Sequence, residues 1–383
     1  MPPRIAINGR FLTQPVAGSQ RYAIQVTKAI DALIESGEYG ALKGRIEILA
    51  PATARDFQLR HIPLRRCGSG AGYFWEQVEL PLYAHGQLLV NCCSVGPLVK
   101  RDQIVVVHDA SVLARPTNFA PRFRMIYKFL IPRLIRRSRG SVTVSEFSRR
   151  EIEKWYDVDV SAMRVSYVGA DHILQVAPDN SIIDRLDLSN RKFFLGVGMS
   201  VNKNSGMIAQ ALRKSGLTDT LFVVTGQRCA WVTADEGHTA PDGVLLAGYV
   251  SDAELRALYE HALAMVSPSH YEGFGLPPVE AMLCGCPTIV SNSSAMVEIC
   301  EQGALHCDPD DSDELARLMR VVHDDPAQRS ALSSAGQAHA ARYTWRSVAV
   351  CLLDLCAQFD GSRLTASAVA RGVASTGLNL VSR

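Results

Sequence analysis

The sequence predicts an α/β protein built as two Rossmann-like, doubly wound domains, and three observations lead there. The chain has 383 residues, enough for two or three domains at roughly 150 residues each. Its composition, 47% hydrophobic and 20% charged, is that of an ordinary globular protein and sets aside disorder, collagen and coiled coil. Short β-branched runs alternate with helical patterns along the chain, as parallel sheets require.

The strand runs of the first half are Ile5 to Ile7, Glu47 to Ala50, Leu88 to Val90, Ile104 to Val107 and Ser141 to Val144. Beyond Arg164, the runs Phe193 to Val197, Leu221 to Val224, Val244 to Leu246, Ala264 to Val266 and Thr288 to Val290 form a second set. Each is apolar, short and bounded by polar or helical sequence. The boundary is expected near Val168 to Arg185, where VGADHILQVAPDNSIIDRL places Gly, Pro and polar residues between two such sets. The expected domains are therefore residues 1–170 and 171–340. Residues 362–383, small and polar without an acidic residue, read as a flexible tail.

The net charge of +2 hides an asymmetry: residues 1–170 hold 24 Lys and Arg against 14 Asp and Glu, whereas 171–383 hold 16 against 24. A basic half can bind phosphates or an anionic surface, but the opposite charge of the other half argues against a nucleic-acid partner. The ten cysteines show no CxxC pair and several lie in apolar patterns, so buried thiols in a reducing compartment are expected. No signal-peptide core and no run of about 18 apolar residues occurs, which points to a cytoplasmic protein with peripheral membrane attachment left open.

The segment richest in chemistry is SPSHYEGFGLPPVEAMLCGCPTIVSN, residues 267–292. It reads as strand end, glycine-bearing loop, helix and strand, with Pro277 or Pro278 in the first helical turn and Gly285 at its end. Glu272 falls in the loop at the strand's C-terminal edge and Glu280 in the first turns of the helix, so both carboxylates can face the crevice where open α/β sheets bind ligands. Backbone N–H groups of Phe274, Gly275 and Leu276 can hold a diphosphate, and Gly273 and Gly275 let the backbone approach it. Two carboxylates beside a phosphate cradle can accept hydrogen bonds from vicinal hydroxyls of a sugar and of a ribose. A lone Glu280 would read as a solvated helix residue favoured by the helix dipole; its coincidence with Glu272, the glycines and Pro-Pro favours a ligand role.

Glu272 to Glu280, E-G-F-G-L-P-P-V-E, resembles the E-x7-E signature of retaining glycosyltransferases of family 4, which have the GT-B fold of two Rossmann-like domains facing a cleft. AGYVSDAELRALYEHALAMVSPSHYEGFGLPPVEAMLCGCPTIVSN (247–292) is similar to that family's donor-nucleotide region, and GALHCDPDD (303–311) to the segment after it. TWRSVAV (344–350) resembles the start of its closing helix, expected over 341–361 and packing back toward the N-terminal domain. The resemblance covers most of the chain and is strongest in the second half. It implies that Glu272 binds the donor sugar, that Glu280 binds the ribose and that the backbone at Tyr249 and Val250 lies by the base.

FFLGVGMSVNKNSGMIAQAL (193–212) is strand, loop and helix, with Lys203 near the helix start, where an ammonium can neutralise a leaving diphosphate; a solvent-exposed lysine is the alternative. Similar family members offer an arginine in this loop as well. Here Met199, Ser200 and Asn202 stand at those positions, which makes Ser200 a donor-binding candidate and Arg228 a possible substitute. In AINGRFLTQPVAGSQRYAIQVTKAI (6–30), Gly18 and Ser19 begin a helix; an ordinary βα connection explains them as well as phosphate binding does. The resemblance sets this loop across the cleft from the donor, which raises Gly18 and makes Arg21 an acceptor-side anion contact. IVVVHDASVL (104–113) ends a strand in His108-Asp109: the histidine can orient reactants, and the resemblance puts such a residue near the reacting sugar. Asp109 is read both as an acceptor contact and as a helix cap. Ser145, with Ser148 three residues on, reads as a cap.

From Ala110 to Ser145 the chain carries Arg115, Arg122, Arg124, Lys128, Arg133, Arg136, Arg137 and Arg139 without one acidic residue, interleaved with Phe119, Phe123, Ile126, Tyr127, Phe129, Leu130 and Leu134. An interfacial helix on an anionic membrane and a core-packed helix with a solvated basic face fit this composition equally. The resemblance, through family members that glycosylate lipid-linked acceptors, favours the membrane for 115–139.

The expected function is transfer of a hexosyl group from a nucleotide diphosphate sugar to a hydroxyl of a glycan or polyprenyl-diphosphate-linked sugar, in synthesis of a bacterial lipopolysaccharide or exopolysaccharide. The pattern NGRF…GSQRYA looks like bacterial mannosyl- and rhamnosyltransferases and favours GDP-mannose or a related GDP-deoxyhexose; UDP-sugars stay open. No cofactor and no metal is expected, since no His/Cys ligand cluster or paired-acid motif occurs. A sugar-nucleotide epimerase and a non-catalytic sugar-nucleotide-binding partner are the rivals. A nicotinamide dehydrogenase is disfavoured by the missing GxGxxG after the first strand.

Overall fold

The computed structural model describes residues 4–198, 201–226 and 243–359. Among them, seven parallel strands form a first sheet: β1 (Arg4–Asn8), β2 (Ile46–Ala50), β3 (Leu64–Arg66), β4 (Gln87–Asn91), β5 (Gln103–Val106), β6 (Gly140–Thr143) and β7 (Arg164–Val165), in the order β3-β2-β1-β4-β5-β6-β7. A second, six-stranded parallel sheet holds β8 (Lys192–Val197), β9 (Thr220–Thr225), β10 (Val244–Gly248), β11 (Ala264–Ser267), β12 (Thr288–Ser291) and β13 (Leu305–Cys307), in the order β10-β9-β8-β11-β12-β13. All ten apolar runs of the sequence are strands. The three that the sequence did not announce, β3, β7 and β13, are edge strands of two or three residues, too short to show an apolar run.

In each sheet the strand order reverses once, between β1 and β4 and between β8 and β11. At such a switch point neighbouring loops diverge and leave a crevice beyond the strands' C-terminal ends. The strand centres are apolar and buried: Ile7 pairs in register with Ile48 and Val90, and Phe194 with Phe222 and Ala264. Burying one such side chain contributes roughly 1.5–3 kcal/mol, so the sheets are rigid supports for what their loops carry.

Nine helices of eight residues or more flank the sheets among the described residues: α1 (Gly18–Glu35), α2 (Pro121–Arg137), α3 (Glu146–Tyr156), α4 (Ser205–Ser215), α5 (Asp252–His261), α6 (Leu276–Leu283), α7 (Ser312–Asp324), α8 (Pro326–Ala340) and α9 (Trp345–Phe359). Local chemistry sets their starts. Ser251 and Glu254 make a reciprocal capping box on α5, and the Asp311 carboxylate accepts the N–H groups of Asp313 and Glu314 on α7. Helix α1 buries Tyr22, Val26, Ile30 and Leu33 on one stripe, and α9 lays Val348, Leu352 and Leu355 into the same core as α1. The last helix thus returns to the first sheet after the chain has completed the second.

The halves meet through specific contacts. Ser145 and Ser148, at the start of α3, both donate to the carbonyl of Gly273, at 2.6 and 3.0 Å, while Ser145 Oγ also accepts the Ser148 N–H as a cap. The Glu298 carboxylate accepts the N–H groups of Glu146 and Phe147. Asn118 donates to Asn202, and Arg115 to the carbonyl of His270.

Candidate active site

The loop from Pro268 to Gly275 leaves β11 and ends as the N-cap of α6. Gly275 has φ +88°, and a Cβ built there would lie 2.1 Å from Met296 Cε, so neither the backbone nor the space admits a side chain. Gly273 answers a second constraint: its Cβ would lie 2.9 Å from that of Asp109, so glycine permits the loop to touch the first half. Phe274 is buried, its ring 5.4 Å edge-on to Tyr343, which turns its side chain into the core. Leu276 and Pro277 open the helix.

Glu272 and Lys203 form an ion pair, Nζ to Oε1 at 2.7 Å, with side chains 15% and 19% exposed. Lys203 is thus neither a freely solvated lysine nor a lone cation. It reaches Glu272 across Gly198, whose added Cβ would stand 3.5 Å from Lys203 Cε, at the C-terminal end of β8. The Glu272 N–H donates to Ser294 Oγ, which anchors the loop beneath the pair. The two residues singled out for the donor sugar and its diphosphate are therefore brought together. Ser200 and Arg228 lie outside the described residues.

Glu280 is 3% exposed, so the solvated-helix alternative does not hold. Its Oε1 is 3.1 Å from His172 Nε2 and its Oε2 accepts the Tyr259 hydroxyl at 3.2 Å. Burial and the neighbouring Glu280 hold the Tyr259 phenol far above its usual range, so it is the donor. Each carboxylate oxygen has one close polar partner and keeps further acceptor capacity. Beside it, Arg21 of α1 makes a bidentate pair with Asp252 of α5, at 2.7 and 2.8 Å, and sits 3.2 Å from His172 Nε2. Arg21 is therefore not an open anion contact at the acceptor side, as the sequence suggested. Its charge is committed to a clasp between the halves, because Asp252 stands at the first turn of α5 directly opposite.

Across the cleft, His108 follows β5 with Nε2 2.8 Å from the carbonyl of Cys92 and its ring 4.9 Å edge-on to Tyr22. Nε2 must donate, which leaves Nδ1 an acceptor; burial lowers the ring's pKa and keeps it neutral near pH 7. Asp109 accepts the N–H of Ser111 at 2.7 Å, the capping role, and packs under Gly273. Gly18 is the first residue of α1, and a Cβ there would meet nothing within 4 Å. Tyr249 is 77% exposed and Val250 half-buried in the loop between β10 and α5.

Sequence reading missed four groups. His172 lies inside the boundary segment and was passed over as linker; Tyr259 and Asp252 lie in the helix before β11; Trp345 opens α9. The fourth is a buried pair behind β1, Arg10 with Glu76, joined by Asn8 and Asn91 and capped by Tyr73, whose ring centroid is 4.3 Å from the guanidinium. Together with Gln14, Ser19 and Tyr127 it lines a polar cavity of about 50 Å³ at the β1/β4 switch point.

The basic segment divides its faces. Leu130, Ile131 and Leu134 of α2 are buried in the first half, whereas Met125, Ile126 and Phe129 are 68%, 38% and 50% exposed among the arginines. One face of the helix is thus packed in the core and the other exposes apolar side chains among basic ones. No described helix is long and apolar enough to cross a membrane. Nine cysteines lie among the described residues, all free thiols, and burial raises several of them, Cys300 to about 12. Among the described residues no group of three His, Cys, Asp or Glu side chains is placed to hold a metal ion.

Residues 185–339 match the family model "Glycosyl transferases group 1". The chain is 28% identical over 259 residues to O-antigen chain mannosyltransferase B of Escherichia coli, covering 63% of this chain and 66% of that protein. It is 29% identical over 230 residues to O-antigen chain mannosyltransferase RfbU of Salmonella typhimurium, covering 59% and 62%. Each match spans less than two thirds of the relative's own length. Among solved structures, Anabaena Alr3699/HepE in complex with UDP and glucose superimposes with a TM-score of 0.67 at 15% identity, over 92% of this chain and 100% of that one.

Proposed function

We propose, from the premise that this chain is a GT-B-fold relative of the group 1 glycosyl transferases, that it transfers a hexosyl group from a nucleotide diphosphate sugar to a glycan or lipid-linked sugar in bacterial polysaccharide synthesis. The observation that carries the proposal is the pairing of Glu272 with Lys203 beside the N-terminus of α6, with Glu280 buried in the helix about one turn further on. Residues 171–340 form the donor domain in this reading and 1–170 the acceptor domain.

The donor's diphosphate lies at the start of α6, where the helix dipole and Lys203 balance the charge that grows as the sugar–phosphate bond breaks. Lys203 is then shared between Glu272 and phosphate, and Glu272 turns its acceptor capacity to hydroxyls of the donor sugar. Glu280 takes the two ribose hydroxyls, and the exposed Tyr249 and neighbouring Val250 border the base. Transfer proceeds on the front face: the acceptor oxygen bonds to the anomeric carbon as the diphosphate leaves, and the acceptor proton passes to the leaving phosphate, so configuration is retained without a covalent enzyme intermediate. Neutral His108 accepts a hydrogen bond from a sugar hydroxyl through Nδ1. No step draws on a metal.

Mannose is the favoured donor sugar, supported by the two mannosyltransferase relatives, and GDP the favoured nucleotide from the sequence pattern alone; the UDP in the HepE complex makes UDP-sugars the comparison to run. The test is to incubate the chain with GDP-mannose or UDP-glucose and a polyprenyl-diphosphate-linked glycan fraction, and to read products by mass. An increment of one hexose, lost in Glu272→Gln, is the expected result. Donor turnover without an acceptor, giving a rearranged nucleotide sugar, would favour an epimerase instead.

A further inference from the structure

Glu280 does not hold its own position. His172 is 4% exposed and has polar neighbours at both ring nitrogens: Trp345 Nε1 donates to Nδ1 at 3.0 Å, and Nε2 lies 3.1 Å from Glu280 Oε1. An indole N–H can only donate, so Nδ1 must accept and the ring hydrogen must sit on Nε2, pointing at the carboxylate. The other charged groups facing the ring are Arg21, 3.2 Å from Nε2, and Asp252, which binds that same guanidinium nitrogen at 2.7 Å. With the ring hydrogen on Nε2, Arg21 cannot donate there and is held by its two hydrogen bonds to Asp252, which leaves Glu280 Oε1, 3.1 Å away, as the acceptor within reach of that hydrogen.

Trp345 is not a casual neighbour. It is the first residue of α9, its backbone N–H donates to Asp171 Oδ1 at 2.8 Å, and a Cβ on Gly169 would lie 2.2 Å from that same nitrogen. The segment between the sheets and the start of the closing helix are therefore locked together, with His172 between this lock and the carboxylate. Tyr22 and Tyr343, packed on Trp345 and on Phe274, continue the contact to both halves.

We propose that His172, its tautomer set by Trp345, is a positioning residue for nucleotide binding: it holds the Glu280 carboxylate so that both oxygens present acceptors to the vicinal hydroxyls of the donor ribose, and it makes that readiness depend on docking of α9. The inference rests on the ribose reading of Glu280. His172 touches no reacting atom and acts only through the carboxylate.

The test is titration calorimetry of the whole chain with GDP and UDP and with their 2′,3′-dideoxy counterparts. His172→Leu, which keeps volume and removes both hydrogen bonds, is expected to weaken the ribonucleotide that the wild type binds by about tenfold, the value of one hydrogen bond to a charged group. It should leave the dideoxy nucleotide unchanged. His172→Gln, whose amide offers one donor and one acceptor to the same partners, should recover most of the loss. Trp345→Phe, which lacks only the donor, should weaken the ribonucleotide by about threefold without altering the dideoxy one. Equal weakening of both nucleotides, or none in either variant, would overturn the proposal. A wild type that binds ribo and dideoxy forms alike would instead remove the ribose reading of Glu280, and the positioning role with it.

Discussion

Arg10 and Glu76 show at the residue scale how closely the cleft's stability rests on pairing. Burial pushes the Glu76 carboxyl above its usual range even beside the guanidinium, and the Arg10 side chain is only 14% exposed. Removing one member leaves the other charged and without its partner. Glu76→Ala is expected to destabilise the chain by about 3–5 kcal/mol, and the double variant Arg10→Met with Glu76→Leu by clearly less, as buried ion pairs behave when replaced whole. Urea unfolding measures both; equal losses would show that the pair's geometry matters more than its charge. Gly275→Ala is a separate case. The positive φ and the Met296 methyl both oppose a side chain, so a loss of about 1–3 kcal/mol is expected, with Met296→Ala relieving the steric part only. Persistence of the loss in the double variant identifies the backbone contribution.

Among the elements, the central strands were legible because their β-branched runs have no helical period, and the loop from Glu272 to Glu280 because carboxylates, glycines and Pro-Pro coincide there. His172 and Trp345 were not, since the bond between them joins residues 173 positions apart and neither carries a local pattern. The clasp of α1 with α5 was half legible: Arg21 stood out, Asp252 did not. Burial would raise the Asp252 carboxyl, but the hydrogen bonds and charge of Arg21, with Lys28, lower it overall. A carboxyl depressed in the folded state adds stability above its unfolded pKa of about 3.9 and loses it as pH falls through the lower folded value. The wild type should therefore lose thermal stability below about pH 4 more steeply than Asp252→Asn. Parallel pH profiles of Tm would show that the clasp contributes nothing.

Taken whole, the molecule holds two parallel sheets joined by a short segment and closed by a helix that crosses back, so the loops of β5 and β11 face one another. The basic helix α2 belongs to the first half, and its exposed Met125, Ile126 and Phe129 suit a surface that is apolar below and anionic above. Met125→Ser with Phe129→Ser should reduce co-sedimentation with phosphatidylglycerol vesicles at least tenfold, from the lost burial of two large side chains at roughly 1.5–3 kcal/mol each. Unchanged sedimentation would return α2 to the role of a core helix with a solvated basic face. Composition left that choice open because both roles use the same residues, and only the division of faces separates them.

The central claim is a donor site built by Glu272, Lys203 and Glu280, and thermal denaturation with GDP, UDP, ADP and their sugar conjugates, without added metal, tests it most directly. Ligands bound by the native state alone raise Tm. The account predicts a selective rise with one nucleotide family, reduced in Glu280→Ala; no rise with any of them would contradict it.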